Sequence, residues 1–106
     1  MNEETILQND IRVVLSDAGI VLRNNVGTFI TPYGKPVRIG IPGEPDLTLL
    51  TKTGKTIFIE IKTPKGRLSA KQKHFRETVE GYGFRFEVLR SVDEARALVQ
   101  EVLNGI

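Results

Sequence analysis

The stretch Thr56-Ile57-Phe58-Ile59-Glu60-Ile61-Lys62 constrains this chain more than any other. β-Branched and aromatic residues dominate it, and they fit a pleated strand best. Side chains alternate along a strand, so Ile57, Ile59 and Ile61 form one row while Phe58, Glu60 and Lys62 share the other face. The isoleucine row demands a core. A carboxylate and an ammonium are thereby set together on the opposite face, near the strand's end.

The elements around this strand follow from periodicity and breakers. Asn2 caps a helix with Glu3 and Glu4 in its first turn, where they complement the macrodipole. Leu7, Ile11, Val14, Leu15 and Ala18 share its inward stripe, and Gly19 ends it. Residues 20–23 (Ile-Val-Leu-Arg) read as a first strand. Residues 27–45 hold Gly27, Pro32, Gly34, Pro36, Gly40, Pro42, Gly43 and Pro45. So many breakers exclude a helix and predict a shaped loop, with a short strand allowed at Val37-Arg38-Ile39. Residues 46–50 form a second strand, and Lys52-Thr53-Gly54-Lys55 turns it into the strand of residues 56–62.

Ser69 and Gln72 then form a capping box opening a helix whose apolar stripe is Phe75, Val79 and Tyr82, closed by Gly81 and Gly83. Residues 84–89 alternate as a fourth strand. Ser91 and Glu94 open a last helix striped by Val92, Ala95, Val99, Val102 and Leu103. The order α-β-β-β-α-β-α, with a hairpin and one crossover helix, predicts an α/β fold with a mixed central sheet and a C-terminal helix.

At 106 residues the chain is expected to be one domain over residues 1–106. It holds no cysteine and one histidine, His74. Disulfides, thiolate nucleophiles, Cys-ligated metals, His-rich metal sites and Ser–His–Asp triads are therefore excluded or disfavoured. No apolar run is long enough to span a membrane, and a soluble, cytoplasmic protein is expected. The formal net charge of +2 hides an uneven distribution: residues 52–76 carry eight Lys or Arg against Glu60 alone. Such a block suggests an anionic partner, nucleic acid first among them, although a solvated helix face accounts for Lys-rich sequence too.

Chemistry converges on two features. Asp46 follows the stiff Gly43-Glu44-Pro45, fourteen residues before Glu60. A short hairpin places it beside Glu60 and Lys62. Asp and Glu at one sheet edge, with a Lys two residues on, suit metal-assisted phosphodiester hydrolysis. Hard carboxylate oxygens bind Mg²⁺ or Mn²⁺ while waters are retained, and the main-chain carbonyl of Ile61 is a further candidate ligand. The competing account is a surface Glu–Lys pair and a turn Asp.

This pattern resembles the PD-(D/E)xK nuclease superfamily, whose core has the same α-β-β-β-α-β order, and within it the virus-type replication–repair nuclease domain, VRR-NUC. The matching stretches are Arg23-Asn24-Asn25-Val26-Gly27, residues 40–47 (Gly-Ile-Pro-Gly-Glu-Pro-Asp-Leu), residues 59–64 (Ile-Glu-Ile-Lys-Thr-Pro), residues 66–72 (Gly-Arg-Leu-Ser-Ala-Lys-Gln) and Ser91-Val92-Asp93-Glu94-Ala95. They cover essentially the whole chain in order. The resemblance implies a restriction-endonuclease-like fold and a divalent-metal nuclease, with Asp46 and Glu60 as ligands and Lys62 as catalytic lysine. It also implies a first-helix acid, for which Glu4 fits better than Glu3, and a glutamine after the third strand, which is Gln72.

Lys65, Arg67, Ser69, Lys71, Lys73 and Asn25 are the expected DNA contacts, through phosphate rather than base edges. Asn24, Asn25 and Gly27 shape a loop at the site mouth, Tyr33 either stacks or packs, and His74 reads as a solvated helix residue. Relatives of the stand-alone phage and bacterial type imply branched DNA, a four-way junction foremost, cut by a homodimer in a bacterial or phage-infected cell. The alternatives are a flap, nicking or less selective nuclease, and a non-catalytic nucleic-acid-binding module.

Overall fold

The computed structural model describes residues 2–24 and 27–105. Helix α1 (Glu3–Leu15) leads into strand β1 (Gly19–Arg23). After it come β2 (Gly27–Ile30), β3 (Pro36–Ile39), β4 (Leu47–Thr51), β5 (Thr56–Ile61), α2 (Ala70–Gly81), β6 (Arg85–Leu89) and α3 (Val92–Leu103). Four strands form a sheet in the order β1-β4-β5-β6, and β2 pairs with β3 in a separate ribbon. The β1/β4 and β4/β5 pairs are antiparallel while β5/β6 is parallel. The parallel step is the one that α2 crosses over, as a parallel neighbour requires. The fold is the expected α/β class: a restriction-endonuclease-like core with a mixed sheet and a C-terminal helix.

Each face of β5 has its own layer. Ile57, Ile59 and Ile61 join Leu47, Leu49 and Leu89 in a core closed by Ile11 and Leu15 of α1 and by Ala95, Leu98, Val99 and Val102 of α3. A fully buried Ile or Leu contributes about 1.5–3 kcal/mol, so this row commits the register of β5. On the other face Phe58 meets Phe75 of α2 and Phe84, both edge-on with ring centroids 5.5 Å apart. Phe75 also approaches Phe86. These rings fasten α2 over β5, the same face that carries Glu60.

The structure corrects the sequence reading in four places. The short strand at residues 37–39 is β3, but it pairs with a second strand, β2, so that residues 27–39 form a hairpin rather than a loop. Tyr82 is the exposed C-cap of α2 and not part of its stripe. Leu103 is exposed while Leu98 takes its place in the core of α3, because positions 95, 98, 99 and 102 fall on one helical face. Asp46 and Lys62 stand just outside the ends of β4 and β5 rather than within them.

Candidate active site

Among the described residues Glu60 is the buried charged one, 2% exposed, on the face of β5 opposite the isoleucine core. A carboxylate is seldom left there without partners. Its Oε2 receives two: Lys62 Nζ at 3.3 Å and the Nε2 group of Gln72 at 3.1 Å. Its Oε1 is buried and has no hydrogen-bond partner. Burial, then the charge of Asp46 beside it, push this carboxyl up from 4.5 to about 7, although Lys62 pulls it the other way.

Asp46 is held from two directions. Its Oδ2 accepts the N–H of Ile61 at 2.8 Å, which ties it to the last residue of β5. Its main-chain carbonyl accepts the N–H of Asn24 at 3.0 Å. The Asn24 side-chain amide donates to the Pro45 carbonyl and to Thr48 Oγ1, both at 3.0 Å. Asn24 therefore clamps the Pro45-Asp46 step between β1 and β4. Gly43 has φ +85°, and a Cβ there would stand 2.3 Å from the Lys71 carbonyl oxygen. Only glycine lets this turn press against the first turn of α2.

Gln72 fills both roles that its position allows. Its carboxamide oxygen accepts the Ser69 N–H at 2.8 Å, completing the capping box with Ser69 Oγ, and its nitrogen reaches Glu60. The residue that starts α2 thus also fixes the buried carboxylate. No third acidic or histidine side chain joins Asp46 and Glu60 to form a metal cluster among the described residues. Glu4 is exposed and lines a shallow groove with Asn2, Thr5 and Gln8. Helix α1 buries Ile11 and Leu15 in its C-terminal half, and among the described residues neither Glu3 nor Glu4 forms a cluster with the pair.

The donor set fits a hard divalent ion. It offers one orphaned buried carboxylate oxygen, a second carboxylate beside it, and the carbonyl end of Ile61 at the same strand terminus. Two protein carboxylates with the remaining positions left to water is a usual arrangement for Mg²⁺. Positive charge placed at Oε1 would also reverse the cost of ionising Glu60.

The basic block divides. Lys52 and Lys55 lie in the turn before β5, at the opposite end of the strand from Lys62. Arg76 is spent on Glu80, at 3.3 Å, and on the Phe86 ring. Lys65, Arg67, Lys71 and Lys73 remain exposed on the loop and helix start beside the carboxylates. Ser69 is exposed too, with its hydroxyl engaged as the cap. Asn25 falls outside the described residues.

One contributor escaped the sequence reading. Arg90, just past β6, donates through one nitrogen to the carbonyls of Thr63 at 2.8 Å and Gly66 at 2.6 Å. Those residues form the turn after Lys62, and Gly66 packs on the Lys62 stem. The available signal was positional: Arg90 follows the strand parallel to β5, at the carboxyl end where α/β folds build sites.

Comparison with known proteins turns on the same segment. The VRR-NUC domain family matches residues 23–93, from the Asn24 clamp through β6 into α3.

The chain belongs to the VRR-NUC family.

Membership implies a nuclease, with DNA as its substrate class, and divalent metals are general in the family. A solved structure described as a VRR_NUC domain superposes with TM-score 0.70 at 19% identity, over 94% of this chain and 97% of that one. At that identity the likeness speaks for the fold. No curated protein matches the chain. Among the described residues of this VRR-NUC chain, no helix is long and apolar enough to cross a membrane.

Proposed function

We propose that this VRR-NUC chain is a divalent-metal-dependent, structure-selective DNA endonuclease of the PD-(D/E)xK type, which resolves four-way junctions as a homodimer. One observation carries the catalytic part: Glu60 is buried beside Asp46 with Oε1 left without a partner. A module that only bound nucleic acid would gain nothing from burying one carboxylate beside a second, partly buried one, and that arrangement costs stability. Asp46 and Glu60 would hold Mg²⁺ or Mn²⁺, with the Ile61 carbonyl as a further donor. An ion bound there offsets phosphate charge and makes water a competent nucleophile near neutral pH.

The chain's own residues do the rest. Gln72 and Lys62 fix Glu60 Oε2, which keeps Oε1 directed to its task. Asn24 and the Ile61 N–H immobilise Asp46. Lys62 holds a positive charge next to the carboxylates, where it orients the attacking water and stabilises charge developing on the phosphate. Lys65, Arg67, Lys71 and Lys73 neutralise backbone phosphates on either side of the scissile bond. A two-fold dimer would present two such sites for paired cuts in a symmetric junction.

The test is a panel of labelled four-way junction, flap and linear duplex, incubated with Mg²⁺, Mn²⁺ or EDTA. Paired symmetric cuts near the crossover, made only with metal, are expected. Lys62→Ala should abolish them while junction binding persists. Equal cutting of all three substrates would refute junction selectivity. Binding without cleavage under every metal condition would refute the enzyme reading.

A further inference from the structure

The β2–β3 hairpin takes no part in the site just described, yet both its ends are rooted there. Its first arm begins at Gly27, three residues after Asn24, and its second leads through residues 40–45 to Pro45, which Asn24 holds. Thr28 to Ile30 pair with Arg38 to Pro36 in a ribbon separate from the main sheet. Four residues per arm at about 3.4 Å each put the tip about 14 Å from the roots. The chain is accordingly extended, with a radius of gyration of 14.8 Å where about 13 Å is usual for its length.

The tip is a tight, hydrogen-bonded turn. Thr31 N–H donates to the Lys35 carbonyl, Gly34 N–H to the Thr31 carbonyl, and Lys35 N–H to Thr31 Oγ1. The turn Thr51–Lys55 repeats these three bonds with the same Thr-x-x-Gly-Lys spacing. The two differ in what they display. The β4–β5 turn carries Lys52 and Thr53; the hairpin tip carries Pro32 and Tyr33, and Tyr33 is 96% exposed. Phe29, Ile30 and Val37 are exposed along the arms. The sequence has no acidic residue from Ala18 to Gly43, while Arg23, Lys35 and Arg38 are basic. Aromatic and apolar surface without negative charge, on a separate ribbon that starts and ends beside the carboxylate site, suits exposed bases.

We infer that the hairpin is a wedge for branched DNA, with Tyr33 stacking on a base at the branch point while the scissile strand lies at Asp46. This rests on the nuclease reading above and adds the element that selects its substrate. Duplex ends and linear helices offer no unstacked base at that distance, so Tyr33 contributes to branched DNA alone.

The test uses the full chain, wild type, Tyr33→Ala and Tyr33→Phe, with a four-way junction and a linear duplex of shared sequence. 2-Aminopurine at the branch point reports stacking, and EDTA blocks cleavage. Tyr33→Ala should bind the junction about tenfold more weakly, keep its duplex affinity and fail to change the 2-aminopurine signal. Tyr33→Phe should behave as wild type. Equal affinity of Tyr33→Ala and wild type for the junction, or an equal loss on both DNAs, overturns the wedge. So does a dimer that falls to monomer in Tyr33→Ala by light scattering, since the hairpin would then join two copies of the chain. A Tyr33-dependent signal from a wild type that cuts no DNA with Mn²⁺ would sink the nuclease reading and leave the wedge standing. A wild type that binds neither DNA overturns both.

Discussion

Replacing Glu60 by glutamine reads the site through stability instead of turnover. The residue is 2% exposed, and without metal its carboxyl is pushed from 4.5 to about 7, first by burial and then by Asp46. A folded state that binds this proton more tightly than the unfolded chain loses about 3 kcal/mol once both have ionised. The sign follows from that. Stability is complete below about pH 4.5, falls as the pH rises, and levels off above about pH 7. Glu60→Gln keeps the size of the side chain and cannot ionise, so its curve lacks the decline. Above neutrality it should exceed wild type by up to about 3 kcal/mol, reduced by what Lys62 loses with its partner. Urea unfolding in EDTA across this range measures both curves. Adding Mn²⁺ should restore the wild type at pH 8 by mass action and leave the variant nearly unchanged. Parallel pH profiles for the two proteins would refute the reasoning.

Three further outcomes are expected. Asn24→Ala should cost about 1–2 kcal/mol of stability through its lost hydrogen bonds. By loosening Asp46 it should also weaken Mn²⁺ binding about 10–100-fold in calorimetric titration; unchanged affinity would show that the clamp is structural only. Arg90→Ala should destabilise the turn after Lys62 and slow single-turnover cleavage, with Arg90→Lys recovering part of both, since one ammonium nitrogen can also donate to the two carbonyls that a single Arg90 nitrogen serves. Arg67→Ala should lower the slope of log affinity against log salt by about 1 on any DNA, and an unaltered slope would remove Arg67 from the phosphate contacts.

Much of this site was legible because strand periodicity is strict. Once Ile57, Ile59 and Ile61 are a core row, Glu60 has only one face to occupy, and a tight hairpin brings Asp46 alongside. Gln72 was legible in both roles for a related reason: its place three residues after Ser69 and its helical phase towards Phe75 both follow from local spacing. Of the β2–β3 hairpin only the arm at residues 37–39 was legible, and its partner was hidden by the surrounding prolines and glycines, which are turn formers wherever they occur. Its Thr-x-x-Gly-Lys turn matches the one at Thr51–Lys55, and that repeat was the available signal. Glu4 shows the opposite limit. It lies one turn before Leu7 on the inward stripe, but phase does not fix which strand end a helix terminus reaches, and Glu4 is exposed and joins no cluster with the pair among the described residues. Arg90 acts through carbonyls 24–27 residues away, and no local pattern encodes such a contact.

Asp46 and Glu60 are proposed as the metal-dependent centre of a phosphodiesterase. Cleavage by wild type and by Asp46→Ala, compared in excess Mn²⁺ and in EDTA with unfolding curves showing both proteins folded, tests that role most directly. Wild type should cut with Mn²⁺, and the other three reactions should show no cutting. Cutting by Asp46→Ala at the wild-type rate, or wild-type cutting undiminished in EDTA, would contradict it.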